Sequence, residues 1–225
     1  YFRVLGKDRT YIVMDAPPDK ENCQPFVDIA TLFTSAGLKV PEILDWNREH
    51  GFMLLSDLGS QTMMQVLTTD NEANAPALFN QATDTLVMLQ SSSKPGLLPA
   101  YDQALLKREL DLFPEWYVSQ HKQYALSAAQ LNVLHTTFDQ LIKVNLAAPL
   151  VFVHRDFMPR NLMVGEPGHD QQLGVLDFQD AVDGPVTYDV ASLMRDAFLS
   201  WEEDFVLDIT IRYWEKARKV GLLDY

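Results

Sequence analysis

The chain has 225 residues, 47% of them hydrophobic, and 18 Lys and Arg against 31 Asp and Glu leave a formal charge of −13. That length can bury a sizeable core as one domain or two small lobes, whereas the negative balance would repel a nucleic-acid backbone. The lone Cys23 excludes an internal disulfide, no apolar run approaches the roughly 18 residues of a membrane span, and no signal peptide is visible, so the default expectation is a cytoplasmic monomer without nucleic-acid or membrane partners.

In chain order, "YFRV" and "RTYIVM" predict a β-hairpin around "LGKD", with Gly6 in the turn. "DAPPDKENC" breaks the sheet. Pro25 suits the first turn of a helix whose apolar positions Phe26, Ile29, Ala30 and Phe33 follow helical spacing up to Gly37. "VPEILDWNREHGFMLLSDLG" reads as two strands about a turn at Asn47 to Gly51, the second running from Phe52 to Leu55. From about Leu58 the pattern becomes helical: Glu72 to Ser91, Ala104 to Gln120, Ser127 to Val144, Ala191 to Leu199 and Glu203 to Val220. The final helix would present Val206, Ile209, Tyr213, Ala217 and Val220 on one face and end at Gly221. This order predicts an α+β, two-lobed fold, with a β-rich lobe over 1–57 and a mainly helical lobe over 58–225.

The segment Val151 to Asp180, "VFVHRDFMPRNLMVGEPGHDQQLGVLDFQD", interrupts that helical run with short apolar strands, two of them joined through a turn at Pro167-Gly168. Polar residues stand at the strand ends, where a rigid scaffold can aim them. His154-Arg155-Asp156, four residues, then Asn161 fits the kinase catalytic loop H-R-D-x-x-x-x-N, and Asp177-Phe178 stands where its metal-binding Asp-Phe follows. Phosphoryl transfer needs these residue types. A carboxylate, Asp156, takes the proton of the acceptor hydroxyl; hard oxygen ligands, Asn161 and Asp177, hold Mg2+ against the phosphates of ATP; His154 braces the loop. Any one of these residues alone reads as a turn carboxylate, a cap or a structural histidine, and only the constellation points to catalysis.

"HRDFMPRN" and "LDFQDAVDGPVTYDVASLMRDAF" resemble the aminoglycoside phosphotransferase family, the branch of the kinase fold that also holds choline and other small-molecule kinases. Met158 stands where a Ser/Thr protein kinase usually has Lys, and Gln179 where it has Gly, which favours a small-molecule substrate. With "RTYIVMDAPPDKEN", "LLSDLG" and "ELDLFPEWYV" added, the chain is similar to the bacterial anomeric kinases of peptidoglycan recycling, which act on O1 of N-acetylated amino sugars. The resemblance implies ATP and Mg2+ as cofactors, an amino sugar as the small-molecule substrate, and a hinge at Leu55, Ser56 and Asp57 whose backbone meets adenine. A kinase for an aminoglycoside, choline or homoserine, and a non-catalytic nucleotide-binding protein, stay open as alternatives.

The resemblance also implies a nucleotide lysine on the third strand, but Met14 or Asp15 stands near its place, with Lys20 as a possible substitute. A glycine-rich loop should precede Tyr1 and the helical lobe stops early at Tyr225, so the kinase fold reads as trimmed at both ends. In "ELDLFPEWY", Glu109 and Trp116 are candidate sugar ligands, with helix packing as the equal alternative. Asp189 reads either as a partner of the catalytic loop or, more simply, as the cap of a helix starting at Val190. His50, His121, His135 and His169 are too scattered to suggest zinc.

Overall fold

Residues 1–67, 73–165 and 172–223 are described in the computed structural model, which opens with an antiparallel sheet. β1 (Phe2–Leu5) and β2 (Thr10–Asp15) form the expected hairpin, closed by the Gly6 N–H on the Arg9 carbonyl at 2.9 Å. α1 (Gln24–Ser35) follows, with Pro25 in its first turn and Phe26, Ile29, Ala30 and Phe33 in the core, as their spacing requires. Gly37, at φ +86°, supplies the left-handed residue that ends it. β3 (Ile43–Asn47) and β4 (Phe52–Ser56) make the second hairpin, and β2 pairs with β4 to give the order β1-β2-β4-β3.

The helical part departs from the sequence expectation in several places. A short α2 (Met63–Val66), capped by Thr62 and Gln65, was not anticipated; α3 is Ala75–Ser91, and Glu72, its expected start, lies outside the described residues. The helix expected to run to Gln120 is α-helical only as α4 (Gln103–Leu112) and continues as a π-helix, Phe113–His121. Pro114 explains the change: it has no N–H to return to Leu110 and its ring crowds that carbonyl, so the bonds lengthen in register, as in Lys122 N–H to the Tyr117 carbonyl at 2.9 Å. α5 (Ala128–Leu146) starts from a Ser127–Gln130 capping box.

The catalytic segment is strand, turn, strand. β5 (Leu150–Val153) leads to a 3-10 turn at Pro159–Asn161, then to β6 (Leu162–Met163) paired with β7 (Gly174–Val175); the turn expected at Pro167-Gly168 lies outside the described residues. β8 (Val182–Pro185), not anticipated from the sequence, pairs antiparallel with β5. Glycine is needed at 184 for close approach, since a Cβ there would stand 3.0–3.1 Å from Tyr101 and Val153 side-chain atoms. α6 is Tyr188–Met194, three residues earlier than expected, and ends where Arg195 leaves helical dihedrals. α7 (Glu203–Lys219) buries Val206, Ile209, Tyr213 and Ala217, but Val220, at its C-cap, is 52% exposed.

Aromatic packing joins the sheet region to the catalytic segment. Phe178, fully buried, stacks on Phe26 at 4.9 Å and leans on Phe33 at 5.7 Å, and Phe33 lies 6.3 Å from the His154 ring. The Val175 N–H reaches the Lys39 carbonyl at 2.7 Å, so the chain after α1 also grips β7. Among the described residues no helix is long and apolar enough to cross a membrane.

Candidate active site

β5 delivers the chain to His154, whose ring is completely buried. The Asp156 N–H donates to His154 Nδ1 at 3.3 Å, so Nδ1 is an acceptor and the proton sits on Nε2, 3.0 Å from the Leu176 carbonyl. Burial pushes His154 down to about 4, against the opposing pull of Leu176 and Asp177, which keeps it neutral and suited to both bonds. The histidine thus ties the loop before Asp156 to the strand before Asp177.

Asp189 corrects the sequence expectation. It lies inside the first turn of α6, fully buried, and caps nothing; its Oδ2 accepts the His154 N–H at 2.7 Å and its Oδ1 the Arg155 N–H at 3.1 Å. It is a partner of the catalytic loop. Burial pushes its carboxyl up to about 7, although both N–H donors favour the charged form. Two neighbours have left-handed backbones, Arg155 at φ +77° and Asp177 at φ +65°. Such a conformation costs a residue with a Cβ about 1–3 kcal/mol and persists only where surrounding contacts impose it. Nothing in the sequence signalled this strain.

The residues read as catalytic come together. Asn161 Nδ2 donates to the Asp156 carbonyl at 2.9 Å and to Asp177 Oδ2 at 3.3 Å, while Gln179 Nε2 donates to Asp177 Oδ1 at 3.0 Å. Burial and the Asp177 carboxylate raise the Asp156 carboxyl above its ordinary value, which strengthens it as a proton acceptor.

Asn161 and Asp177 also line a cavity of about 380 Å3, opposite Leu55, Ser56 and Asp57 and against the apolar side chains of Ile12 and Met163. This size and mixed lining suit a small organic ligand. The cation on its wall is Arg3, which the sequence reading missed: it meets Asp57 Oδ2 at 2.7 Å and the Gly59 carbonyl at 2.6 Å. Asp57 also accepts the Gly59 N–H at 3.0 Å, so its carboxylate is engaged within the protein. Met14 turns from β2 into the core, while Asp15 and Lys20 are exposed, and none of the three is among the residues lining the cavity.

Glu109 and Trp116, the candidate sugar ligands, have different surroundings. Trp116 is 60% exposed on the π-helix, whereas the Glu109 carboxylate accepts from Arg155 at 2.5 Å, from the Tyr101 hydroxyl and from the Tyr188 hydroxyl at 3.4 Å.

The sequence profile of the Phosphotransferase enzyme family matches residues 1–222. The chain belongs to this family. It is 50% identical over 222 residues to an N-acetylmuramate/N-acetylglucosamine kinase of Pseudomonas aeruginosa, covering 99% of this chain and 64% of that protein. It is 46% identical to a protein of the same name from Neisseria meningitidis serogroup B, covering 99% of this chain and 65% of the relative. The chain therefore spans just under two thirds of the length of these relatives. Among solved structures it is similar in fold to the ADP-bound aminoglycoside phosphotransferase APH(2'')-Ib, with a TM-score of 0.64 at 16% identity over 98% of this chain and 80% of that one. It is similar also to a choline kinase of Streptococcus pneumoniae, with a TM-score of 0.63 at 14% identity over 94% of this chain and 70% of that one. These likenesses establish the protein-kinase-like fold, a small antiparallel sheet followed by a helical region.

For a phosphotransferase the oxygens at the cavity edge suit a hard divalent cation. Asn161 uses its Nδ2 for the bonds above and keeps Oδ1 as an oxygen ligand beside the Asp177 carboxylate. These two are oxygen donors of the kind a Mg2+ ion takes, and no group of three His, Cys, Asp or Glu that could cage a metal occurs among the described residues.

Proposed function

We propose that the chain carries the catalytic apparatus of an ATP- and Mg2+-dependent kinase that phosphorylates the anomeric hydroxyl of N-acetylmuramate or N-acetylglucosamine, a reaction that would serve cell-wall recycling. The observation that carries this reading is the meeting of Asn161 and Asp177 at one cavity edge, with Asn161 also holding the Asp156 carbonyl, in a chain half identical to a relative bearing that kinase name. Residues 1–57 form the nucleotide lobe and 58–225 the catalytic lobe. The backbone at Leu55, Ser56 and Asp57, on the wall of the 380 Å3 cavity, would meet adenine.

Asp156 orients the acceptor hydroxyl and takes its proton. An anomeric hydroxyl is more acidic than an ordinary sugar alcohol, so a carboxylate is base enough. Asn161 and Asp177 would hold Mg2+, which when bound neutralises charge between phosphate oxygens. His154 fixes the loop, and the exposed face of Trp116 is offered to the sugar ring. The test is incubation with ATP, Mg2+ and either free N-acetylglucosamine or its methyl glycoside, followed by phosphorus NMR. The free sugar should give a sugar 1-phosphate and the glycoside nothing. Phosphorylation of the glycoside, or of choline or kanamycin in preference to both sugars, would reassign the acceptor.

A further inference from the structure

Glu109 sits on α4, 46 residues from Arg155 in sequence, yet its Oε1 lies 2.5 Å from Arg155 Nη2. Its Oε2 takes the hydroxyls of Tyr101, which precedes α4, and of Tyr188, at the start of α6. The Arg155 cation lies 5.9 Å from the centre of the Tyr101 ring, and Nη1 reaches the Asp180 carbonyl at 3.4 Å. Groups from separate segments thus gather about the one residue that immediately precedes Asp156: the Glu109 and Tyr101 side chains and the Asp180 carbonyl directly, and Tyr188 through Glu109.

That residue is an arginine where glycine would be at ease. Its backbone stands at φ +77°, and its Nε is buried without a hydrogen-bond partner. Both features oppose this conformation. What holds it is the pair of backbone N–H bonds to Asp189 and the side-chain bonds to Glu109. We infer that the Glu109–Arg155 pair, braced by Tyr101 and Tyr188, is a positioning clamp that locks the catalytic loop in the strained form presenting Asp156. Glu109 then acts through the loop rather than on a substrate, and α4 helps to set the geometry of catalysis. A pair that only added stability would leave turnover unchanged in the folded protein.

The functional arm of this inference rests on the proposed phosphotransfer, so its test needs a second readout. Two variants of the full chain serve: Glu109→Gln removes the ion pair while keeping an acceptor for the tyrosines, and Arg155→Gly relieves the backbone while removing the anchor. Both should lower kcat by roughly 10- to 100-fold, the scale of a sub-ångström to ångström misplacement of a catalytic group, with KM for ATP within about twofold of wild type. Amide hydrogen exchange should quicken at residues 153–157 in Glu109→Gln and stay unchanged in α7. Wild-type kcat in either folded variant would overturn the clamp. If the wild-type protein phosphorylates no acceptor, the kinase reading falls and exchange alone decides: wild-type protection at 153–157 in Glu109→Gln would overturn the clamp as well.

Discussion

The catalytic segment and the helical arm beside it are built in opposite ways. From β5 through α6, Val151, Phe152, Val153, His154, Phe178 and Asp189 are all buried, and two residues are held at positive φ. From α4 through α5 the chain buries only Leu106, Phe138 and Ile142, while Trp116 is 60% and Val133 65% exposed. Burial in the first region fixes the direction of polar groups, because each has one set of partners and no water to replace them. In the second region apolar and aromatic surface is displayed rather than consumed. On the proposed function, rigid chemistry beside an open face is the division expected of a site that performs one reaction step and must admit a ligand next to it.

The sharpest test of the rigid side is Asp156→Asn. Loss of a positioned base should lower turnover by roughly 10²- to 10⁴-fold while leaving ATP affinity nearly unchanged. Steady-state kinetics with direct nucleotide-binding measurements separate the two. Turnover at the wild-type rate would remove Asp156 from the mechanism and with it much of the contrast.

How much of this was legible depended on which residues carried the information. The sheet and α1 could be read because Phe26, Ile29, Ala30 and Phe33 obey one period and Gly6, Pro25 and Gly37 punctuate it. The meeting of Asp156, Asn161 and Asp177 could be read because the spacing of a catalytic loop is local. A break in the α-helix could have been anticipated from Pro114, inside an otherwise helical pattern, but not the π-helix that follows it. Asp189 was left between two readings, loop partner and cap, because its N-cap character is a local signal whereas its partners lie 34 and 35 residues earlier. Arg3 and the pairing of Glu109 with Arg155 were missed for the same reason: an ion pair across 46 or 54 residues leaves no period or motif.

The buried pair His154 and Asp189 gives the next largest effect, through pH. His154 titrates at about 4 when folded against 6.5 when free, so between these values the unfolded chain binds the extra proton and stability falls as pH drops. Asp189 titrates at about 7 against 3.8, so over the same interval the folded chain holds the extra proton and stability falls as pH rises. The two slopes are opposite in sign and offset each other in the wild-type protein between about pH 4 and 6.5. Removing one partner should expose the other. Relative to wild type, the deficit of Asp189→Asn should grow towards acid, and that of His154→Gln towards neutrality, each by up to about 1.4 kcal/mol per pH unit. Urea unfolding at several pH values within that window measures both. Parallel curves for the variants and the wild type would show that these burials do not govern the titration.

The smallest effect should come from the open side, and there its kind matters more than its size. Trp116 is 60% exposed on the π-helix, so truncation to Ala removes little buried area and should change stability by no more than about 0.5 kcal/mol. If its face stacks on the acceptor ring, the loss of about 0.5–1.5 kcal/mol should raise KM for the sugar by roughly 2- to 12-fold, with KM for ATP unaffected. That outcome differs in form from the kcat loss expected for Glu109→Gln, although the two residues lie on consecutive helical segments. Melting curves and acceptor-dependent kinetics on Trp116→Ala therefore decide between two uses of an exposed aromatic. A marked fall in melting temperature with unchanged sugar KM would mean that the indole packs the arm, and the open face would then lose its leading candidate for acceptor contact.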